Sequence, residues 1–195
     1  YRLFFKYFAN RLAVVPAEEE NFSEALDICR HVIEVMPDDA ESYNTRASVY
    51  MMMGDTASAR KDFEKAVELE PDNAPGNYNL GFIEWREGNR DSAMERFRRA
   101  IEGDPDYAPA YNALGTMAGD DHRLTEAEKY YRKAIEINPQ YAAAYVNLGR
   151  ILIQHPDEDT RKKGRKLVEK GLDLEPSLGE KERIKTLLET ETLQK

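Results

Sequence analysis

A proline recurs at a fixed interval along this chain, and that interval limits what it can fold into more than any other feature. Pro37, Pro71, Pro105 and Pro139 stand 34 residues apart, and Pro176 follows 37 residues after the last. A constant interval of this size marks a chain of repeated supersecondary units. No unit of that kind can bury its apolar face alone, so neighbours must stack to make a core. Other columns keep the same phase. Twelve residues before each proline stand Ala25, Ala59, Ala93, Ala127 and Gly164. Five before stand Val32, Ala66, Ala100, Ala134 and Gly171. Eight before stand Cys29, Phe63, Phe97, Tyr131 and Val168, an apolar knob in every unit. Ala13, Ala47, Gly81, Gly115 and Gly149 form a further small-residue column, the last in phase if the fifth unit carries three extra residues. Small side chains in these columns predict pairs of helices that cross closely.

Each period reads helix, turn, helix. Residues 74–87 (APGNYNLGFIEWRE) place Tyr78, Leu80, Phe82, Ile83 and Trp85 at helical spacing. Gly88-Asn89 is a stop and turn. Residues 91–103 open on Asp91 and Ser92 as candidate N-caps and carry Ala93, Met94, Phe97, Ala100 and Ile101 on one face. Proline at 105 ends the second helix, because it cannot continue one and disfavours helical geometry in the residue before it.

The pattern Leu80-Gly81, Ala93, Phe97, Ala100, Pro105, repeated as Leu114-Gly115, Ala127, Tyr131, Ala134, Pro139, resembles that of the tetratricopeptide repeat (TPR) family. The resemblance extends over nearly the whole chain. It implies an all-α fold: a right-handed superhelical solenoid of five helix pairs, at 6–39, 40–73, 74–107, 108–141 and 142–178, with a capping helix at about 180–195, forming a single domain over 1–195. Four departures stand out. Pro16 should shorten or kink the first helix of repeat 1. Arg46 replaces the leucine of other repeats. Ala118-Gly119 should fray the first helix of repeat 4. The insertion in repeat 5 falls near Gln154–Thr160.

Stacked repeats present a long surface suited to binding other proteins. The resemblance implies that this surface is concave and lined by the first helix of each repeat. In repeat 3, Tyr78, Phe82 and Trp85 share one helix face at i, i+4 and i+7, an aromatic face expected to anchor apolar side chains of a ligand. Asn44, Ser48, Met51 and Met52 hold related positions in repeat 2, Asn112 and Thr116 in repeat 4, and Asn147 and Arg150 in repeat 5. Asparagine amides both donate and accept, which suits a peptide backbone, and Arg86 and Arg150 suit acidic side chains. The chaperone-tail clamp known in this family needs basic residues over three repeats; its positions here are Asn44, Ser48, Asn79, Pro109 and Ala113, of which Asn79 alone fits. The expected function is therefore a non-catalytic scaffold or adaptor holding a protein or peptide segment in the groove, centred on repeats 2 and 3. The alternative is a partner-recruiting segment of a larger enzyme or of a membrane-anchored assembly protein.

Charge and chemistry narrow this further. The net charge is −9, from 28 basic and 37 acidic residues, which opposes binding to a phosphate backbone. By repeat it rises from −5 through −3, −2 and −1 to +1. The one basic run, Arg161-Lys162-Lys163-Gly164-Arg165-Lys166, follows Asp157, Glu158 and Asp159 at helix-pairing distance and is expected to pair with them. His31, His122 and His155 fall in different repeats, and Cys29 in the knob column is expected to be core. No phosphate loop, metal-spaced cluster or nucleophile motif is present in the sequence, so no enzyme activity, cofactor or metal is expected, and no nucleic acid. A single cysteine excludes an internal disulfide. The cytoplasm is the expected compartment, with the periplasm or a membrane tether as the alternative should a signal or anchor precede this sequence. At the start, Leu3, Phe4, Phe5 and Phe8 spread too widely for one buried stripe. They are expected to contact a membrane, an upstream segment or a second copy of the chain.

Overall fold

The computed structural model describes residues 21–175. Leu3, Phe4, Phe5, Phe8, Pro16 and the expected capping helix lie outside the described residues. Among those described there are helices and turns and no strand. The fold divides at the third proline into two compact units, one ending at Pro105 and the other starting at Asp106.

The first unit holds α1 (Phe22–Val35), α2 (Ala40–Met52), α3 (Thr56–Leu69), α4 (Ala74–Arg86) and α5 (Arg90–Gly103). Each helix packs on the next, and α2/α3 and α4/α5 are the tight pairs. The second unit holds α6 (Ala108–Asp120), α7 (Leu124–Ile137), α8 (Ala142–Ile153) and α9 (Glu158–Leu174), paired as α6/α7 and α8/α9. The small-residue columns are where these pairs touch. Ala25, Ala59, Ala93 and Ala127 are wholly buried, as are Ala66, Ala100 and Ala134, and the knobs Cys29, Phe63, Phe97, Tyr131 and Val168 are buried in every repeat. Ala47, Ala59, Phe63, Leu80 and Ile83 make one continuous core across α2, α3 and α4. Ala118, Ala127, Tyr131, Leu148 and Leu152 do the same in the second unit.

The ends of the helices follow from local chemistry. Asp39, Asp55, Asn73 and Asp157 each cap a helix, accepting from the backbone N–H of Ser42, Ser58, Gly76 and Thr160. The turn inside each of three pairs needs one residue in the left-handed region. Gly54 and Gly88 supply it at φ 79° and 88°, and His122 takes the same place at φ 59°.

Two sequence expectations are corrected. α5 starts at Arg90 behind Asn89, one residue ahead of Asp91, and Ser92 is no cap: its hydroxyl donates to Glu84 at 2.7 Å. Helix α6 does not fray at Ala118-Gly119 but runs through to Asp120, because Ala118 is buried in the core and holds the turn in place. The insertion in repeat 5 falls within the expected Gln154–Thr160 stretch and extends the start of α9, which has 17 residues where α1, α3, α5 and α7 have 14.

Cys29 is 1% exposed in the α1–α2 core. Burial, above all, pushes its thiol up to about 11, so at neutral pH the reactive thiolate is scarce. We predict that a disulfide reagent at pH 8 modifies the native protein only as fast as it unfolds, and that denaturant releases one titratable thiol per chain. Immediate reaction in native buffer would contradict the burial.

Candidate functional site

The first helix of each pair carries the expected contact residues, and helical rotation of about 100° per residue sorts them into three groups. The first column is Asn44, Tyr78, Asn112 and Val146. It turns toward the neighbouring helices. Asn44 is only 8% exposed, and its amide donates to Asn73 Oδ1 at 2.7 Å, tying α2 to the cap of α4. Its own Oδ1 is buried with no partner among the described residues. Asn44 is thus a seam between helices and not a hand for a ligand's backbone, which corrects the sequence expectation. Tyr78 rests on Phe97, ring centroids 5.7 Å apart and tilted at 45°, and burial raises its phenol's pKa. Trp85 meets the same Phe97 edge-on at 6.5 Å. The aromatic face of repeat 3 is therefore not one open surface. Two of its three rings are half-buried on the core knob, and Phe82 is left as the one that does not lean on it.

The next column holds Asn79 and Asn147. Asn79 donates one amide proton to the carbonyl of Pro75 in its own helix at 2.9 Å. Asn147 donates to Asn112 Oδ1 at 3.1 Å, linking α8 to α6 in the second unit. Asn147 thus ties two helices together while Asn79 bonds within its own, and what each offers a ligand is its remaining donor and acceptor.

The third group faces outward. Ser48 and Met52 are exposed on α2, with Met52 51% exposed and Met53 beside it at 45%, whereas Met51 is half-buried against the Ala47–Phe63 core. On α4, Phe82 is half-buried and Arg86 exposed. Ser48 and Phe82 share one column, and Met52 and Arg86 another. In the first unit this leaves a surface of Phe82 and Met52, flanked by Asn79, Ser48 and Arg86. In the second unit the corresponding positions carry Thr116 and Arg150. The Thr116 hydroxyl donates to Asn112 O at 3.0 Å and accepts from Tyr131 at 3.2 Å.

Sequence reasoning missed a set of polar groups under this surface. Arg46, in the leucine column, donates from Nε and Nη2 to Asp62 at 2.6 and 2.8 Å, and Asp62 is only 6% exposed. The departure at 46 thus has its partner 16 residues away on α3. In repeat 3, wholly buried Asn77 bonds the carbonyls of Pro71 and Asn73 and accepts from Arg96 at 3.3 Å. Arg96 also reaches Glu84 at 3.4 Å. The available signal was a column mismatch: asparagine stands at 77 where Tyr43, Tyr111 and Tyr145 stand in the other repeats. Among the described residues, no group of three or more His, Cys, Asp or Glu is placed to hold a metal ion, and no helix is long and apolar enough to cross a membrane.

Profiles described as "Tetratricopeptide repeat" match residues 50–117, 108–141 and 130–166. Over 55 residues, 28% of this chain, the sequence is 38% identical to tetratricopeptide repeat protein 36 of Bos taurus, and the match spans 29% of that protein's length. Among solved structures, the fold is similar to PilF of Pseudomonas aeruginosa with a TM-score of 0.75 at 17% identity, covering 87% of this chain and 78% of that one. It is similar to MamA at 0.61 and 24%, covering 85% and 95%. It is also similar to YrrB, described as a TPR protein with an unusual peptide-binding site, at 0.55 and 22%, covering 86% and 85%. At these identities the likeness is one of fold.

Proposed function

Because the chain belongs to the tetratricopeptide repeat family, we propose that it is a non-catalytic adaptor whose first helices hold a segment of a partner protein, with the contact centred on repeats 2 and 3. The observation that carries this reading is the outward surface of α2 and α4. Phe82 and Met52 stand there in columns that polar residues fill elsewhere, such as Thr116 and Asp120. A half-exposed aromatic on one first helix and an exposed thioether on the preceding one are the composition of an adaptable apolar contact, since methionine refits to different partners, and aromatic anchors dominate such interfaces. Arg86, exposed one turn beyond Phe82, supplies a fork for a ligand carboxylate. Tyr78 and Trp85 act beneath it, holding α4 on Phe97 so that Phe82 is presented from a fixed helix. The printed description of YrrB as a peptide-binding TPR protein is consistent with a peptide as the kind of partner.

The test is affinity capture from a native extract with quantitative mass spectrometry. The wild type is compared with the double variant Met52→Asp/Phe82→Asp and with Arg98→Ala, which alters an exposed position on the second helix of repeat 3. Loss of a central aromatic anchor costs about 2 kcal/mol or more, so the double variant should lose its partner at least about tenfold while Arg98→Ala keeps it. Equal recovery of the same partners by all three proteins would refute the proposed surface.

A further inference from the structure

The basic run at the start of α9 does not neutralise itself in the way its spacing promises. Asp157 is used as the helix cap, accepting from the Thr160 N–H at 2.8 Å. Glu158 takes both Arg161 and Arg165, the latter at 2.6 Å, and these two guanidiniums hold its carboxyl below the usual range. Asp159 lies 3.8 Å from Lys162. The three acids ahead of the run are then used up. Among the described residues no carboxylate pairs with Lys163, Lys166 or Lys170, which stand at i, i+3 and i+7 and so share one face of the helix.

That face borders a groove of about 500 Å³ within the second unit. Its far wall is α7, which contributes Arg132, paired with Glu128 at 2.6 Å, and the side chain of Ile135. Its floor is apolar, made by Leu148 and Leu152 of α8 and Leu167 of α9. At one end Lys170 donates to the Tyr145 hydroxyl at 2.8 Å, with its ammonium 4.3 Å from that ring's centroid. This exposed lysine has its ammonium held at the end of the groove by Tyr145. An apolar slot in the size range of ligand pockets, rimmed by three lysines that pair with no carboxylate among the described residues, occurs in a chain whose net charge is −9.

We infer that this groove is a second docking site, taking an acidic segment of a partner protein. A bulky apolar side chain would enter between Ile135 and Leu167, and flanking Asp or Glu carboxylates would meet Lys163, Lys166 and Lys170. The apolar floor gives such a side chain burial that a phosphate backbone has no use for. The cation rim supplies the complementary charge, which steers encounter and fixes register. The site shares no residue with the Phe82 surface.

The test uses the full chain and a fluorescein-labelled peptide, Asp-Glu-Leu-Phe-Glu-Asp, with Lys-Lys-Leu-Phe-Lys-Lys and Asp-Glu-Ser-Ser-Glu-Asp as controls, read by fluorescence polarisation. Methyl-labelled leucine and isoleucine spectra locate any contact. The acidic apolar peptide should bind saturably and weaken as salt rises, since exposed charges are screened beyond about 8 Å at physiological ionic strength. The methyl signals of Ile135, Leu148, Leu152 and Leu167 should shift. Lys163→Glu/Lys166→Glu, at two exposed positions, should lower affinity at least about tenfold with an unchanged circular dichroism spectrum, and Phe82→Asp should leave it intact. Absence of saturable binding, equal binding of the basic control, or binding that the lysine reversal does not weaken would overturn the proposal. So would binding of phosphatidylserine vesicles without the peptide, which would assign the cations to a membrane. A dimer that the lysine reversal dissolves, in a protein that ignores the peptide, would assign the groove to a second copy and also overturn it.

Discussion

Replacing Phe97 by alanine is expected to destabilise the first unit by about 3–5 kcal/mol, the range for emptying a buried aromatic site. Phe97 is wholly buried, and both Tyr78 and Trp85 stack on it. The cavity would therefore remove the floor under two further rings, and their reorientation is the route by which the site would partly collapse. Trp85 is the chain's one tryptophan, so its emission reports the event directly: a red shift in native buffer together with a lowered denaturation midpoint. Phe82→Ala, at a half-buried position, should cost well under half as much and leave the emission maximum in place. Equal losses from the two substitutions would mean that Phe82, too, is core.

The second large effect sets two properties of glycine against each other. Gly164 lies inside α9, where alanine is better by about 1 kcal/mol on helix propensity. But a Cβ at 164 would sit 2.7 Å from the Gly149 carbonyl oxygen and 2.8 Å from the Ile153 amide nitrogen of α8. The relation is mutual, for a Cβ at 149 would come within 2.6 Å of the Gly164 carbonyl oxygen. These neighbours are backbone, so relief requires the helices to move apart and loosens contacts along the whole α8/α9 pair. Overpacking of this kind costs about 1–3 kcal/mol or more, which outweighs the propensity gain. Gly164→Ala should therefore lower the thermal midpoint. Gly119→Ala is the internal control: the nearest side-chain atom to its added Cβ is 3.9 Å away, so propensity acts alone and the midpoint should rise. A midpoint that rises at both positions would show that the helices of repeat 5 are not in backbone contact.

These opposite signs also show how far the sequence could be read. The columns of alanine, glycine and aromatic residues located every described helix pair, because close crossing leaves no freedom in residue size there. They could not rank the residues of the exposed face. Asn44 and Asn79 look alike in sequence, but they sit one position apart in the repeat. A rotation of about 100° puts the first in the seam beside Asn73 and the second toward solvent. The i, i+4, i+7 spacing of Tyr78, Phe82 and Trp85 is legible in the sequence; that Tyr78 and Trp85 rest on Phe97 depends on the height and tilt of α5, which no spacing rule supplies. Arg46 was visible as a misfit, but its partner Asp62 was not, since charge pairing across a helix pair has no local signature. The acids ahead of the basic run were legible as partners, whereas their unequal use by Glu158 was not. That inequality leaves Lys163, Lys166 and Lys170 facing the groove.

The central claim is that the partner segment meets the protein on the outward face of α2 and α4. It is tested most directly by photo-crosslinking, with benzoylphenylalanine placed at position 82 in one protein and at position 98 in another. After irradiation in native extract, the account predicts that position 82 captures a single dominant partner and that mass spectrometry finds the crosslink within one short segment of it, while position 98 captures nothing above background. Capture of that partner at position 98 with none at position 82 would contradict the account.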